Sequence, residues 1–270
     1  MLPMKPLILC ADDFAVHAAA SAGIVALAQA GRLSATSVMV LSPRWAVDAA
    51  ALRELRGTLD VGLHLDWTSE FAVAAGHGAS LARVMAQAVV GKLTIAAARA
   101  EIERQLDAFE AHWQAAPDHV DGHQHVQQFA GVREALTDAL AARYPAGSRP
   151  YLRVSEAKGG GLKTAVITAM GAAALRRRAQ AAGITCSPAL AGVYDFSSDG
   201  VAYAARMRGW LRDAPAGSII MCHPAVSVVE SDVIGAARVA EFAYLSSADF
   251  AHDCTHAGVQ LSRGAVLKSL

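Results

Sequence analysis

The sequence carries no surplus of either charge: its 270 residues include 24 Lys and Arg against 24 Asp and Glu. Without a basic excess there is no field to gather nucleic acid or anionic lipid, and a neutral or small polar substrate suits the balance better. Cysteine is scarce. Cys10, Cys186, Cys222 and Cys254 lie far apart with no CxxC pair, which argues against a disulfide framework and for a reducing compartment. The apolar run Leu7 to Ala11 is short and stops at Asp12 and Asp13, unlike a secretory signal. The longest membrane-like stretch, Ala165 to Leu175, is interrupted by Gly171 and runs into Arg176, Arg177 and Arg178. It falls short of the roughly 20 apolar residues that a span requires, so a soluble, cytoplasmic protein is expected. No GxGxxG or GxxxxGK[ST] pattern follows the first apolar run, so a dinucleotide or P-loop site lacks its phosphate cradle.

What the chain does have is apolar residues, 54% of the total, arranged as short runs alternating with helical patterns. Strands are expected at Leu7–Cys10, Ala35–Leu41, Leu59–Leu65, His119–Asp121, Tyr151–Val154, Ile184–Cys186, Ser218–Cys222 and Val259–Leu261. The clearest helix spans Thr94 to Ala115, where Ile95, Ala98, Ile102, Leu106, Phe109 and Trp113 recur at spacings of three and four. Further helices are expected over His17–Ala30, Arg44–Leu55, Val132–Arg143, Leu162–Ala182, Val201–Leu211 and Ala248–His256. Such alternation predicts a parallel sheet covered by helices. The expected fold is α/β: a distorted, mostly parallel, TIM-like (β/α) barrel of seven or eight strands, one domain over residues 1–270. Gly159–Gly161 reads as a flexible loop, not a boundary.

In a parallel barrel, ligand sites form where strands end, and the ionisable clusters fall at those places. Asp12 and Asp13 end the first strand, His64 the third and Asp121-Gly-His-Gln-His125 the fourth, while His223 follows the seventh. A divalent ion needs deprotonated oxygen and nitrogen donors from separate elements with one position open to water. Asp13, His64 and His123 meet that need. Asp12 can then take a proton from the attacking water, and His223 can stabilise the oxyanion and protonate the leaving amine. Each feature alone has a plainer reading, Asp-Asp as a helix cap and His64 as a bonded core histidine. The His119–His125 segment is harder to explain away, because three histidines and an aspartate are expensive to bury unpartnered. His17, His77, His112, His252 and His256 read as surface or helix residues.

Ala11-Asp-Asp-Phe14, Gly62-Leu-His-Leu65, His119-Val-Asp-Gly-His-Gln-His-Val126 and Met221-Cys-His-Pro224 occur in that order. Together they resemble the YdjC-like carbohydrate deacetylases, a group that includes chito-oligosaccharide deacetylases and a hopanoid-biosynthesis branch. The resemblance runs from Leu7 to about Leu261 and implies a barrel that hydrolyses the acetamide of an N-acetylated sugar. By position Asp13, His64 and His123 match the family's metal ligands, Asp12 its base and His223 its acid. Arg153 matches an arginine that orients the base or binds substrate. Two positions depart from the pattern. Ala15 stands where the family has Gly, which implies a differently shaped first loop. Gln127 stands where the family tends to have His, and Gln is a poor metal ligand.

The substrate is thus expected to be a chito-oligosaccharide or another N-acetylglucosaminyl compound, with His125 and Trp67 beside the candidate ligands as substrate contacts. Phe129, Tyr194 and Phe196 are further aromatic candidates, and Glu70 to Gly78 a mobile rim. One divalent ion is expected. Zinc suits the mixed donors best, cobalt, nickel or manganese can replace it, and magnesium is less comfortable with two nitrogens. A homodimer is compatible with the sequence. Competing readings are a hydrolase of a non-sugar amide or phosphoester on the same barrel, and a non-catalytic sugar-binding relative.

Overall fold

The first strand sets the architecture. Leu7–Phe14 are all buried, as expected of a parallel strand covered on both faces. In the computed structural model, which describes residues 4–156, 162–197 and 199–269, eight strands form one sheet. They are β1 (Lys5–Phe14), β2 (Ala35–Val38), β3 (Asp60–Leu65), β4 (His119–Gly122), β5 (Tyr151–Leu152), β6 (Leu190–Ala191), β7 (Ile219–Cys222) and β8 (Val259–Leu261). Their order is β5-β4-β3-β2-β1-β7-β6, with β8 paired to the start of β1. Every pairing is parallel, and the sheet curls into the expected distorted, TIM-like half-barrel.

The period-2 alternation of strands sorts residues between two faces. Leu7, Leu9 and Ala11 of β1 and Val61, Leu63 and Leu65 of β3 join the larger core with helix residues such as Ile102, Leu106 and Phe109. Ile8 and Cys10 belong to a smaller cluster with Ala35, Tyr151, Leu190, Ile219 and Met221 inside the curl. The same alternation gives Asp12, His64 and Asp121 to the inside, and the register sets His64 beside Asp121. Gly62 is required there. A Cβ at that position would lie 2.4 Å from the His119 ring.

The long helix Ile95–Trp113 buries its apolar stripe from Ala98 onward, leaving Ile95 exposed, and is capped by Thr94, whose side chain accepts from the Ala97 N–H. Val132–Arg143 is helical as expected. The helix expected over 162–182 is two, Leu162–Ala169 and Ala172–Ala181. Gly171 separates them at φ 128°, where a Cβ would approach the Gln128 carbonyl to 2.2 Å. Ile184–Cys186 is not a strand. Cys186 makes a single bridge to Leu152, and the sixth strand lies at Leu190–Ala191. The expected rim holds a helix, Glu70–Ala74, capped by Ser69. Two more helices had no clear sequence signal, Leu81–Val89 and Gly235–Ser246. Gly159–Gly161 lie outside the described residues, and no helix among those described is long and apolar enough to cross a membrane.

Candidate metal centre and cleft

The strand ends β1, β3 and β4 open into a cleft of about 1110 Å³. Here β1 breaks its own geometry. Asp13 has φ 66° and Ala15 φ 72°, both in the left-handed region that costs a non-glycine residue roughly 1–2 kcal/mol. The turn is held by Ser21 Oγ, which accepts from the Ala15 N–H at 3.1 Å, and by Ser42 Oγ, which donates to the Ala15 carbonyl at 2.6 Å. It allows consecutive carboxylates to reach one cleft, since both Asp12 and Asp13 line it. Ala15 therefore takes the conformation that glycine would occupy without cost.

Asp13, His64 and His123 are brought together, with one donor atom from each within 4.8 Å of the others. Asp13 Oδ1 lies 3.5 Å from His64 Nε2 and 3.2 Å from His123 Nδ1. His123 stands just past β4, where Gln124 and His125 take positive φ (51° and 63°) and turn the chain across the strand ends. On the far side of His64, Nδ1 bonds Asp121 Oδ1 at 2.6 Å, which fixes the ring and leaves Nε2 facing the cleft. Burial by itself would depress the His64 pKa, but the carboxylates of Asp121, Asp12 and Asp13 outweigh it and raise the value to about 9. A field that favours a proton on His64 favours any cation at that point. Burial would likewise raise the Asp13 carboxyl, yet Arg238 and His123 hold it well below the usual carboxylate range.

Two other clusters are less suited to a metal. In Asp12, His64 and Asp121, both carboxylates already serve Arg153, at 2.6 and 2.8 Å from Asp12 and 3.2 Å from Asp121, and His64 Nδ1 is committed to Asp121. In Cys10, His119 and Asp121, burial pushes the thiol pKa well up, and a thiol is not a ligand until it ionises. Ser37 Oγ sits among these three, bonded to Cys10 and His119 at 3.3 and 3.1 Å and to Asp121.

His223 enters from the other side. Its Nε2 is 3.8 Å from Asp12 Oδ2, and Phe196 meets its ring edge-on at 5.1 Å between centroids. Burial lowers its pKa to about 4 despite Asp12 and Asp13, so the imidazole is neutral at pH 7. His125 lines the cleft, bonded through Nδ1 to Ser155 Oγ at 3.0 Å, and burial together with Arg153 lowers it to about 3.

Two expected substrate contacts lie elsewhere. Arg153 is 0% exposed. Its guanidinium is spent on Asp12 and Asp121 and is not among the groups lining the cleft. Trp67 is 3% exposed, packed in the core with its ring perpendicular to His77, because the segment after β3 turns it inward. Phe129 and Tyr194 are buried too, and of the aromatic candidates Phe196 alone is among the residues lining the cleft. Gln127 is buried and donates to the Arg153 carbonyl and Ser155 Oγ, both at 3.0 Å, tying the segment after β4 to the one after β5.

Several residues in or behind the cleft gave no signal in the sequence. Arg238 and Glu241, one turn apart on Gly235–Ser246, are both buried. Arg238 donates to Asp13 Oδ2 at 2.7 Å and to Asp232 Oδ2 at 2.6 Å. Glu241 accepts from the His223 backbone N–H and, at 2.6 Å, from Tyr194 OH. His17, expected as a surface or helix residue, caps the first helix, and it also bonds Asp232 Oδ2 at 3.0 Å and lines the cleft. A helical stripe in which Arg238 and Glu241 take buried positions beside Ala237, Tyr244 and Leu245 looks solvated in one dimension, so periodicity could not find it.

Residues 6–256 match the family described as YdjC-like protein. A carbohydrate deacetylase of Mus musculus is 33% identical over 152 residues, 52% of this chain and 48% of that protein. A chitooligosaccharide deacetylase of Serratia marcescens is 31% identical over 128 residues, 45% and 50% of the two chains. The chain thus spans about half the length of the curated relatives it matches. In fold it resembles a crystal structure from Enterococcus faecalis V583, provisionally named a cellobiose-phosphate cleavage protein. That likeness has TM-score 0.72 and 19% identity over 98% of this chain and 99% of the other. The match over nearly its whole length shows that the chain belongs to the YdjC-like family.

Proposed function

We propose that this protein is a metal-dependent hydrolase that removes the acetyl group from an N-acetylated sugar. The observation that carries the reading is the convergence of Asp13, His64 and His123 beside Asp12, in a chain whose relatives are named carbohydrate and chitooligosaccharide deacetylases. One carboxylate and two imidazoles suit zinc. When bound, such an ion polarises the acetyl carbonyl and acidifies water.

The chain's own groups complete the chemistry. Asp12, held in a two-pronged grip by Arg153, accepts a proton from the attacking water as the C–O bond forms. His223, neutral at rest, turns its Nε2 toward Asp12. A proton relayed from Asp12 through a water bridging the 3.8 Å gap puts an N–H on Nε2 that stabilises the oxyanion and makes His223 a strong acid, because burial opposes its charge. It then protonates the amine as the C–N bond breaks, leaving acetate and the free amino sugar. His125, beside the cleft, is positioned to meet the sugar, and Phe196 to pack against it. The cleft wall is rich in apolar side chains, among them Leu81, Met85, Ile167, Met170, Val229 and Val233, which favours an acetylated sugar bearing an apolar substituent. A two-metal phosphoesterase fits less well, since Asp12 and Asp121 are engaged by Arg153 and not free to bridge ions.

The test is acetate release from diacetylchitobiose and from alkyl or lipid-linked N-acetylglucosamine, before and after chelation and zinc return. Activity should vanish with chelator, return with zinc, and fall about 10²- to 10⁴-fold in Asp12→Asn. Silence toward every acetylated sugar with zinc present, together with an inert Asp12→Asn, would refute the reading.

A further inference from the structure

The two oxygens of Asp13 have different partners. Oδ1 faces His64 Nε2 and His123 Nδ1, while Oδ2 is taken by Arg238 at 2.7 Å. Arg238 is 3% exposed and its Nε is anchored by Asp232 at 2.6 Å, which is itself bonded to His17 at 3.0 Å. Its Nη1 also reaches the His223 carbonyl at 3.4 Å. A buried guanidinium thus sits directly behind the one anionic donor of the metal cluster, fixed from three sides.

From this geometry we infer that Arg238 is a positioning residue that holds Asp13 as a one-oxygen ligand and deliberately weakens the cation site. The inference rests on the proposed metal centre. With Oδ2 engaged, Asp13 presents a single oxygen and leaves the site's remaining positions to water and substrate. The adjacent positive charge withdraws electron density from the carboxylate and opposes a dication, so the site gives up affinity and gains electrophilic character. Asp232 tempers this by partly neutralising Arg238. The opposed charges along Asp13, Arg238 and Asp232 therefore make the effects of two substitutions opposite in sign.

Zinc affinity of the purified full chain, measured by competition with a chromophoric chelator, reads this directly. In Arg238→Gln, which removes the charge and, with its shorter side chain, releases Asp13 Oδ2, zinc should bind about tenfold more tightly or better. A unit charge at side-chain range moves a dication's binding by at least that much even in water. Arg238→Lys keeps the charge and should stay within about threefold of the parent. Asp232→Asn frees Arg238 of its counter-charge and should weaken zinc severalfold. The visible spectrum of the cobalt(II)-loaded protein gives a second reading: Arg238→Gln should shift toward higher coordination number as Oδ2 joins, whereas Arg238→Lys should not. A purely structural arginine would weaken zinc in Arg238→Gln, and that result, or no change, overturns the inference. If Arg238→Gln does not fold, equal or tighter binding in Asp232→Asn overturns it independently. Failure of the parent protein to bind zinc at all is a different result, which removes the proposed metal centre along with this inference.

Discussion

The site has two halves with different origins. One half hangs on the ends of β1, β3 and β4: Asp12, Asp13, His64 and His123 sit on or just past short buried strands, at the rim where a parallel sheet presents its groups. The other half, Arg238, Glu241, Asp232 and Phe196, comes from Gly235–Ser246 and the irregular segments around β6 and β7. The first half supplies groups that can bind a cation and accept a proton. The second is charged scaffolding that clamps Asp13 and the His223 backbone. In this fold, the candidate metal and proton-accepting groups ride on strands whose register is fixed by hydrogen bonds, and Arg238 reaches Asp13 from a helix packed against neighbouring helices.

That division can be tested, beginning with its largest effect. His64→Ala removes a strand-end donor and should abolish stoichiometric zinc binding, with acetate release falling at least about a thousandfold. Substitutions in the helix half should leave zinc bound. Arg153→Met strands two buried carboxylates, Asp12 and Asp121, and should lower unfolding free energy by about 3–5 kcal/mol in urea titration. A loss below 1 kcal/mol would show that the Asp12–Arg153–Asp121 network is not a rigid base for the site.

The helix half should reveal itself through pH. Burial raises the Glu241 carboxyl to about 7 from an ordinary 4.5, so the folded state holds that proton more tightly than the unfolded chain. Below pH 4.5 both states are protonated and nothing is lost. As pH rises from 4.5 to 7 the folded state gives up stability, by up to ~3 kcal/mol, and the loss is complete above 7. Glu241→Gln removes the ionisation, so its stability measured against the parent should climb across that window and then level off. A difference independent of pH would show that Glu241 ionises freely in the fold. The smallest effect belongs to the turn: Ala15→Gly relieves a left-handed alanine but adds chain entropy and removes a buried methyl group. The melting midpoint should therefore reflect a change within about 1 kcal/mol.

How much of this was legible in the sequence follows the same division. Strand-end groups announce themselves, because a carboxylate or imidazole interrupting an apolar run has few reasons to be there. The barrel, all eight strand regions except the sixth, and the Asp13, His64 and His123 set follow from that pattern, with the resemblance to the YdjC-like family supporting it. Arg238 and Glu241 were hidden, because on a helix a buried Arg or Glu repeats at the same spacing as a solvated one. Trp67 misled for the converse reason: an aromatic residue beside a candidate ligand says nothing about which way the chain turns after β3, and here it turns the ring inward. Arg153 was recognisable as part of the site, but its complete burial and its pairing with Asp12 and Asp121 appear only in the fold.

The account turns on a single cation position, and anomalous diffraction from zinc-soaked crystals addresses it directly. It predicts one strong zinc peak per chain, about 2.0–2.2 Å from Asp13 Oδ1, His64 Nε2 and His123 Nδ1, with Asp12 close by but not coordinating. A peak among Cys10, His119 and Asp121, or none at the strand ends, would contradict it.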